Sequence, residues 1–152
     1  MTKTATTRVG NVMSRSPHCV GVEESLSRAA EVMRSYGIRH LPVLENGRPV
    51  GMLNERDIVL AETLSGGSLA RVTVAEAMTS IPYCAAPDTP VAEVAGHLSR
   101  RKLDSALVMS GTRVLGVFTT TDALTLLAAL LTETETETDD DGLGPLKDAA
   151  GS

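Results

Sequence analysis

Two short segments carry the residues best suited to chemistry. Gly51-Met52-Leu53-Asn54-Glu55-Arg56-Asp57 and Gly116-Val117-Phe118-Thr119-Thr120-Thr121-Asp122 each run an apolar strand end into a polar helix start. Asn54 and Thr119 are good N-cap residues, and an acid three positions later suits a helix N-terminus. The same arrangement serves binding. Free N–H groups at a helix start attract anions. A carboxylate there accepts hydrogen bonds from a ribose diol, and a neighbouring hydroxyl donates to a phosphate. Capping alone accounts for the pattern, and it does not exclude binding. Arg39 and His40 precede an apolar run. Their planar guanidinium and imidazole suit phosphates, although a surface Arg beside a half-buried His reads equally well.

Other reactive types are sparse. Cys19 and Cys84 read as paired core thiols. His18 adjoins Cys19, but on a strand it faces the opposite way. His18, His40 and His97 are scattered, with no C-x-x-C or H-x-x-x-H spacing, so no metal site is expected. A composite zinc site assembled by the fold stays open. Gly66-Gly67-Ser68 lacks the lysine of a phosphate-binding loop. No nucleophile, base and orienting group come together. Catalytic residues are therefore expected to be absent, and the chain is not expected to be an enzyme.

The elements that position these residues come in duplicate. Sliding the sequence by 65 places Met13 on Met78, Pro17 on Pro82, Cys19 on Cys84, Gly51 on Gly116 and Asp57 on Asp122 without a gap. In each copy a short helical turn (Thr7–Val12, Thr73–Ala77) leads into a strand (Cys19–Val22, Tyr83–Ala86). Apolar residues then recur at helical spacing: Leu26, Ala29, Ala30 and Met33, and Val91, Val94, Ala95 and Leu98. Gly37 is a natural helix stop, with Lys102 in its place in the second copy. Hairpins follow, His40–Leu44 with Val50–Leu53 around Asn46-Gly47, and Ser105–Met109 with Val114–Phe118 around Gly111-Thr112. A last helix starts near Glu55 or Thr120. The fold class is α/β (α+β), two pseudo-symmetric β-α-β-β-α repeats over 7–65 and 72–131. Residues 66–71 read as the linker and 1–6 as a flexible N-terminus. Units of about 60 residues bury little core alone, so the two are expected to share one.

The chain has 152 residues, 42% apolar and 22% charged, a globular mixture. Its charge of −5 is uneven. Residues 132–152 hold seven acids and one lysine, leaving the body near neutral. The TETETETDDDG run offers no apolar face to offset ordering entropy, so 132–152 read as a disordered acidic tail. A near-neutral body argues against a dedicated duplex-DNA binder. Three aromatics, with no Trp, supply no stacking platform for single strands. No apolar run reaches the roughly 18 residues that span a bilayer, and MTKTATTRVG has no signal-like apolar core. The expected location is the cytoplasm.

GIRHLPVLENGRPVGMLNERDIV with the preceding VMSRSP, and AMTSIP with ALVMSGTRVLGVFTTTDAL, resemble two copies of the cystathionine β-synthase (CBS) domain. A tandem pair of these is a Bateman module. The resemblance implies a homodimer, a regulatory role toward a protein partner, and clefts between the repeats. Those clefts would take an adenosine-containing ligand such as AMP, ADP, ATP or S-adenosylmethionine. It implies Asp57 and Asp122 on the ribose, Thr119 and Thr121 near phosphate or ribose, and Arg39 and His40 near phosphates; Arg56 reads either as another cation of the site or as the partner of a carboxylate on the helix surface. Asn54 departs from the usual hydroxyl. The purine slot would draw on backbone groups near Ser16-Pro17 and Ile81-Pro82 and on side chains such as Leu41, Val43, Ala106 and Val108, and Pro42 and Ser105 are further ligand-binding candidates. Within each repeat the sites look unequal: the first has the phosphate chemistry, the second the ribose motif, with Asp104 in the place of Arg39. A ligand-free dimeric scaffold with vestigial clefts is the alternative.

Overall fold

The computed structural model describes residues 7–15, 18–80 and 82–140. A 3-10 turn (Val9–Asn11) is followed by β1 (Ser14–Arg15), β2 (Val20–Gly21), α1 (Leu26–Tyr36), β3 (His40–Glu45), β4 (Arg48–Asn54) and α2 (Glu55–Leu64). A second 3-10 turn (Leu69–Arg71) leads to α3 (Val74–Ala77), β5 (Thr79–Ser80), β6 (Cys84–Ala85), α4 (Val91–Arg101), β7 (Ser105–Ser110), β8 (Arg113–Thr119) and α5 (Thr120–Asp140). The β-α-β-β-α order thus occurs twice in a mixed α+β fold.

Local signals account for most of these elements. Ser25 caps α1 by accepting from the Arg28 N–H at 3.2 Å, and Gly37 ends it in the left-handed region at φ 63°. Lys102 takes the same conformation at φ 55°, at a cost that glycine avoids. Asn46 and Gly47 both take positive φ, as the tight hairpin turn requires. The expected helix faces are the buried ones: Leu26, Ala29 and Met33 on α1, and Val91, Val94 and Leu98 on α4.

Sheet membership does not follow the two sequence halves. One sheet has the order β2-β3-β4-β5 and the other β1-β8-β7-β6. Each repeat therefore sends its leading arm to the other's sheet. Ser14 and Arg15 pair with Val117 and Gly116, while Thr79 and Ser80 pair with Met52 and Gly51. The reciprocity extends to single bonds. Leu26 donates to the Val72 carbonyl and Val91 to the Thr7 carbonyl, both at 2.9 Å. Val74 is buried in the core of the first repeat, and Val9 in that of the second. The expected shared core is small by comparison: Met52 of β4 against Leu107 of β7 and Val117 of β8. Each repeat is completed chiefly by a borrowed arm.

The arms lie close enough to dictate composition. A side chain at Gly116 would put its Cβ 2.5 Å from the Ser14 carbonyl oxygen, and one at Gly51 would sit 2.7 Å from that of Thr79. Glycine inside a strand often marks such a close approach.

Two expectations change. Helix α5 runs on through Thr132–Asp140, where a disordered tail was expected. Its leucine-rich start supplies the nucleus, and extension then adds one bond per residue fixed. The hydroxyls of Thr132 and Thr134 also donate to the carbonyls of Ala128 and Leu130. Residues 141–152 and the N-terminal 1–6 lie outside the described residues. The cysteines are not paired core thiols: Cys19 is half-buried and Cys84, on a sheet edge, is exposed. Partial burial still pushes both thiols up from their ordinary value. Among the described residues, no helix is long and apolar enough to cross a membrane.

Candidate functional site

Both helix starts carry a complete capping box. The Asp57 N–H donates to Asn54 Oδ1 and the Asn54 N–H to Asp57 Oδ2, each at 2.9 Å. The Asp122 N–H donates to Thr119 Oγ1 at 3.1 Å and the Thr119 N–H to Asp122 Oδ2 at 2.8 Å. Capping takes one oxygen of each carboxylate. The second oxygen of Asp122 accepts from Ser14 Oγ at 3.0 Å.

The arm exchange sets these starts against the opposite repeat and makes two related clefts. The smaller, about 300 Å³, joins Arg39 and His40 of the first repeat to Thr119, Thr121 and Asp122 of the second. Ser14 and Arg15 of the arm, with Gly37, Ile38 and Val117, complete its wall. The larger, about 640 Å³, joins Asn54 and Arg56 of the first repeat to Asp104 and Ser105 of the second. Pro82, Tyr83 and Leu103 supply apolar surface there, and Arg101 and Lys102 add cations. Tyr83 stacks on His97 with ring centroids 3.8 Å apart. The expected division into a phosphate-competent first site and a ribose-competent second site is therefore replaced. The chain crosses over, and the residues of both kinds meet in the smaller cleft.

In the larger cleft one cation is already paired. Arg56 is hydrogen-bonded and ion-paired to Asp104 Oδ2, and Asn54 Nδ2 donates to the same oxygen at 3.4 Å. His40 lies behind this pair. Its Nε2 is 4.0 Å from Asp104 Oδ2 and, among the described residues, buried without a hydrogen-bond partner. Burial lowers the His40 pKa from its ordinary value; Asp104 opposes that shift and Arg56 reinforces it. Burial raises the Asp57 carboxyl, against the hydrogen bond from the Asn54 backbone.

Not every expected site residue lines a cleft. Leu41, Pro42, Val43, Ala106 and Val108 are wholly interior, because β3 and β7 reach the clefts only with their first residues, His40 and Ser105, and with the residues just before them. Asp57 caps its helix but does not line the larger cleft, so the two carboxylates are not equivalent. Ser16, Pro17 and Ile81 lie outside the described residues. Ser14, Arg15, Ile38, Met52, Tyr83, His97, Arg101, Lys102 and Leu103 were not anticipated. The in-strand glycines Gly51 and Gly116 were the available signal, since they mark where an arm crosses. No cluster of three or more His, Cys, Asp or Glu suited to a metal occurs among the described residues.

The duplicated fold and paired clefts define a tandem ligand-binding module. The CBS domain family model matches residues 9–63 and 74–129, and the chain belongs to that family as a protein with two CBS domains. It is 28% identical over 117 residues to Hypoxic response protein 1 of Mycobacterium tuberculosis, covering 76% of this chain and 82% of that one. A crystal structure of Hypoxic Response Protein I with two coordinated zinc ions superposes with a TM-score of 0.66, covering 78% and 97% of the two chains at 28% identity. The CBS domain pair of protein MJ0100, in complex with 5′-methylthioadenosine and S-adenosyl-L-methionine, gives a TM-score of 0.71 at 28% identity, covering 80% and 99%. Among enzymes, inosine-5′-monophosphate dehydrogenase of Korarchaeum cryptofilum is 30% identical over 119 residues, which are 24% of its length. The likeness to that enzyme is confined to that fraction.

Proposed function

We propose that the chain is a regulatory sensor, not an enzyme, that binds an adenosine-containing ligand with at least one phosphate. The smaller cleft is its principal site. The observation that carries this reading is the meeting of Arg39 and His40 with Thr119, Thr121 and Asp122 around one cavity. In this reading Asp122 accepts from the ribose diol once Ser14 gives way. Thr119 and Thr121 lie beside ribose or phosphate, Arg39 forks onto the phosphate, and Ile38 and Val117 pack on the base. The cavity falls at the lower end of ligand-pocket volumes. The adenosine ligands bound to the MJ0100 pair support the adenosine part of this reading; neither carries a phosphate, which is argued from Arg39 and His40 alone.

Output requires a partner or a second copy. Val59, Leu60 and Leu64 on α2 and Leu124, Leu127 and Leu131 on α5 are large exposed apolar side chains. Faces of this kind mark interaction sites, and a homodimer through them completes the proposal. The engagement of Asp122 by Ser14 favours the rival reading, a scaffold without ligand. Titration calorimetry with AMP, ADP, ATP and S-adenosylmethionine separates the two. At least one of the three nucleotides should bind the unaltered chain, and Asp57→Ala/Asp122→Ala should lose that smaller-cleft binding while sedimenting as a dimer. Silence toward the three nucleotides, or unchanged smaller-cleft affinity in the double variant, sinks the sensor reading as proposed.

A further inference from the structure

The two clefts share a wall, and one acid sits in it. Asp104 reaches into the larger cleft to meet Arg56, yet the same Oδ2 stands 4.0 Å from the Nε2 of His40, which lines the smaller. Three groups in a row thus run from one cavity to the other. The middle carboxylate has two possible cationic partners and holds one.

We propose that Arg56, Asp104 and His40 form a relay that couples the clefts. An anionic ligand entering the larger cleft draws Arg56 from Asp104, and the freed carboxylate then pairs with a protonated His40, charging the smaller cleft for its own anion. This inference rests on the ligand reading above and adds the regulation of that site. Each step has a physical cause. The Arg56 side chain is 80% exposed, so its ion pair is easily displaced. Arg101 and Lys102 line the same cavity and favour an anion there. The imidazole nitrogen now without a partner becomes a donor on protonation. The other charges acting on His40 are Asp57 and Asp122 at the two helix starts, both favouring its protonated form. Arg56 is the cation that opposes protonation, so its departure acts in the same direction as the freeing of Asp104. Linkage makes the effect mutual: a ligand in the smaller cleft loosens the Arg56 latch by the same factor.

The experiment follows the imidazole signals of the full chain by heteronuclear magnetic resonance, with His40→Gln identifying the ring. Without ligand, Arg56→Gln should move the His40 midpoint upward, and the same change made on an Asp104→Asn background should give a clearly smaller rise, the direct effect of losing the Arg56 charge. An unmoved midpoint in Arg56→Gln, or a rise just as large on the Asp104→Asn background, overturns the relay. These arms need no nucleotide, so they are independent of whether one binds. The ligand arm adds ATP to Asp122→Ala, whose smaller cleft is disabled. ATP should raise the His40 midpoint there, and should raise it clearly less in Asp104→Asn/Asp122→Ala. No rise in Asp122→Ala overturns coupling by ligand. Failure of the unaltered chain to bind ATP, AMP, ADP or S-adenosylmethionine sinks the sensor reading and its ligand coupling together, and the ligand-free titrations show that failure to be separate from the relay.

Discussion

The two clefts have one backbone and opposite charge logic. Shifted by 65, Arg39 becomes Asp104 and Thr121 becomes Arg56. In the smaller cleft a cation from the loop faces a hydroxyl on the helix. In the larger, an acid from the loop faces a cation on the helix, and the two close on each other. A duplicated frame therefore gives one cavity whose cation at these two positions is left for an outside anion and one whose cation there is already paired, with Arg101 and Lys102 as its remaining cations. The frame fixes where polar groups stand, and four side chains decide whether the cavity is open for business with a ligand or satisfied by itself.

The sharpest way to test the shared frame is to strain it equally on both sides. Gly51→Ala and Gly116→Ala each force a Cβ against a carbonyl oxygen of the crossing arm, with a methionine sulfur 2.6 Å and 2.8 Å away respectively. The sulfur can move, but the backbone oxygen moves only with its strand. Each substitution should cost on the order of 1–3 kcal/mol, the usual range for overpacking. Urea denaturation of the two variants should give similar losses. A loss in one and none in the other would break the equivalence of the arms.

A second test removes the charge difference. Arg56→Thr/Asp104→Arg gives the larger cleft the polar set of the smaller at these two positions. Calorimetry with AMP should then show the larger cleft binding about tenfold or more tightly than before, the scale of a hydrogen bond to a charged group. No gain would mean that Asn54, which stands where Thr119 does, or the retracted Asp57 controls that cleft instead.

How much of this was legible beforehand follows from the length of each signal. The helices announced themselves through several apolar positions at one spacing, and the hairpins through Asn46-Gly47 and Gly111. The arms are two-residue strands, too short for any periodicity, and their partners lie a full repeat away. The alignment of the repeats said which residues are equivalent, not which are adjacent. Arg39 was matched to Asp104 correctly, but its meeting with Asp122 depends on the crossing. Leu41, Val43, Ala106 and Val108 enter the expected ligand slot through the family resemblance, while their apolar character alone reads as core. One or two residues into a central strand is enough to pass from cleft wall to core. The helical run of Thr132–Asp140 was missed for another reason: composition describes an isolated segment, and this one continues a helix already formed.

The smallest expected effect belongs to one half only, because Ser105 stands where the other half has His40. The ordinary histidine value is 6.5, and burial holds His40 below it in the folded chain. Between those two values the unfolded chain binds the extra proton and the folded chain does not. Stability should therefore fall as pH drops from 6.5 through the folded midpoint, and be indifferent to this group above 6.5. Asp57 contributes with the opposite sign and further into acid, since its folded carboxyl is raised above 3.8 and takes up a proton before the unfolded one does. Urea midpoints compared from about pH 7.5 to about pH 5.5 report mainly the histidine. His40→Gln should flatten that slope. Asp104→Asn should steepen it, because the nearest group favouring the charged ring is gone. A slope unchanged by His40→Gln would place the pH sensitivity elsewhere, and the contrast between the halves would then be one of ligand affinity without proton linkage.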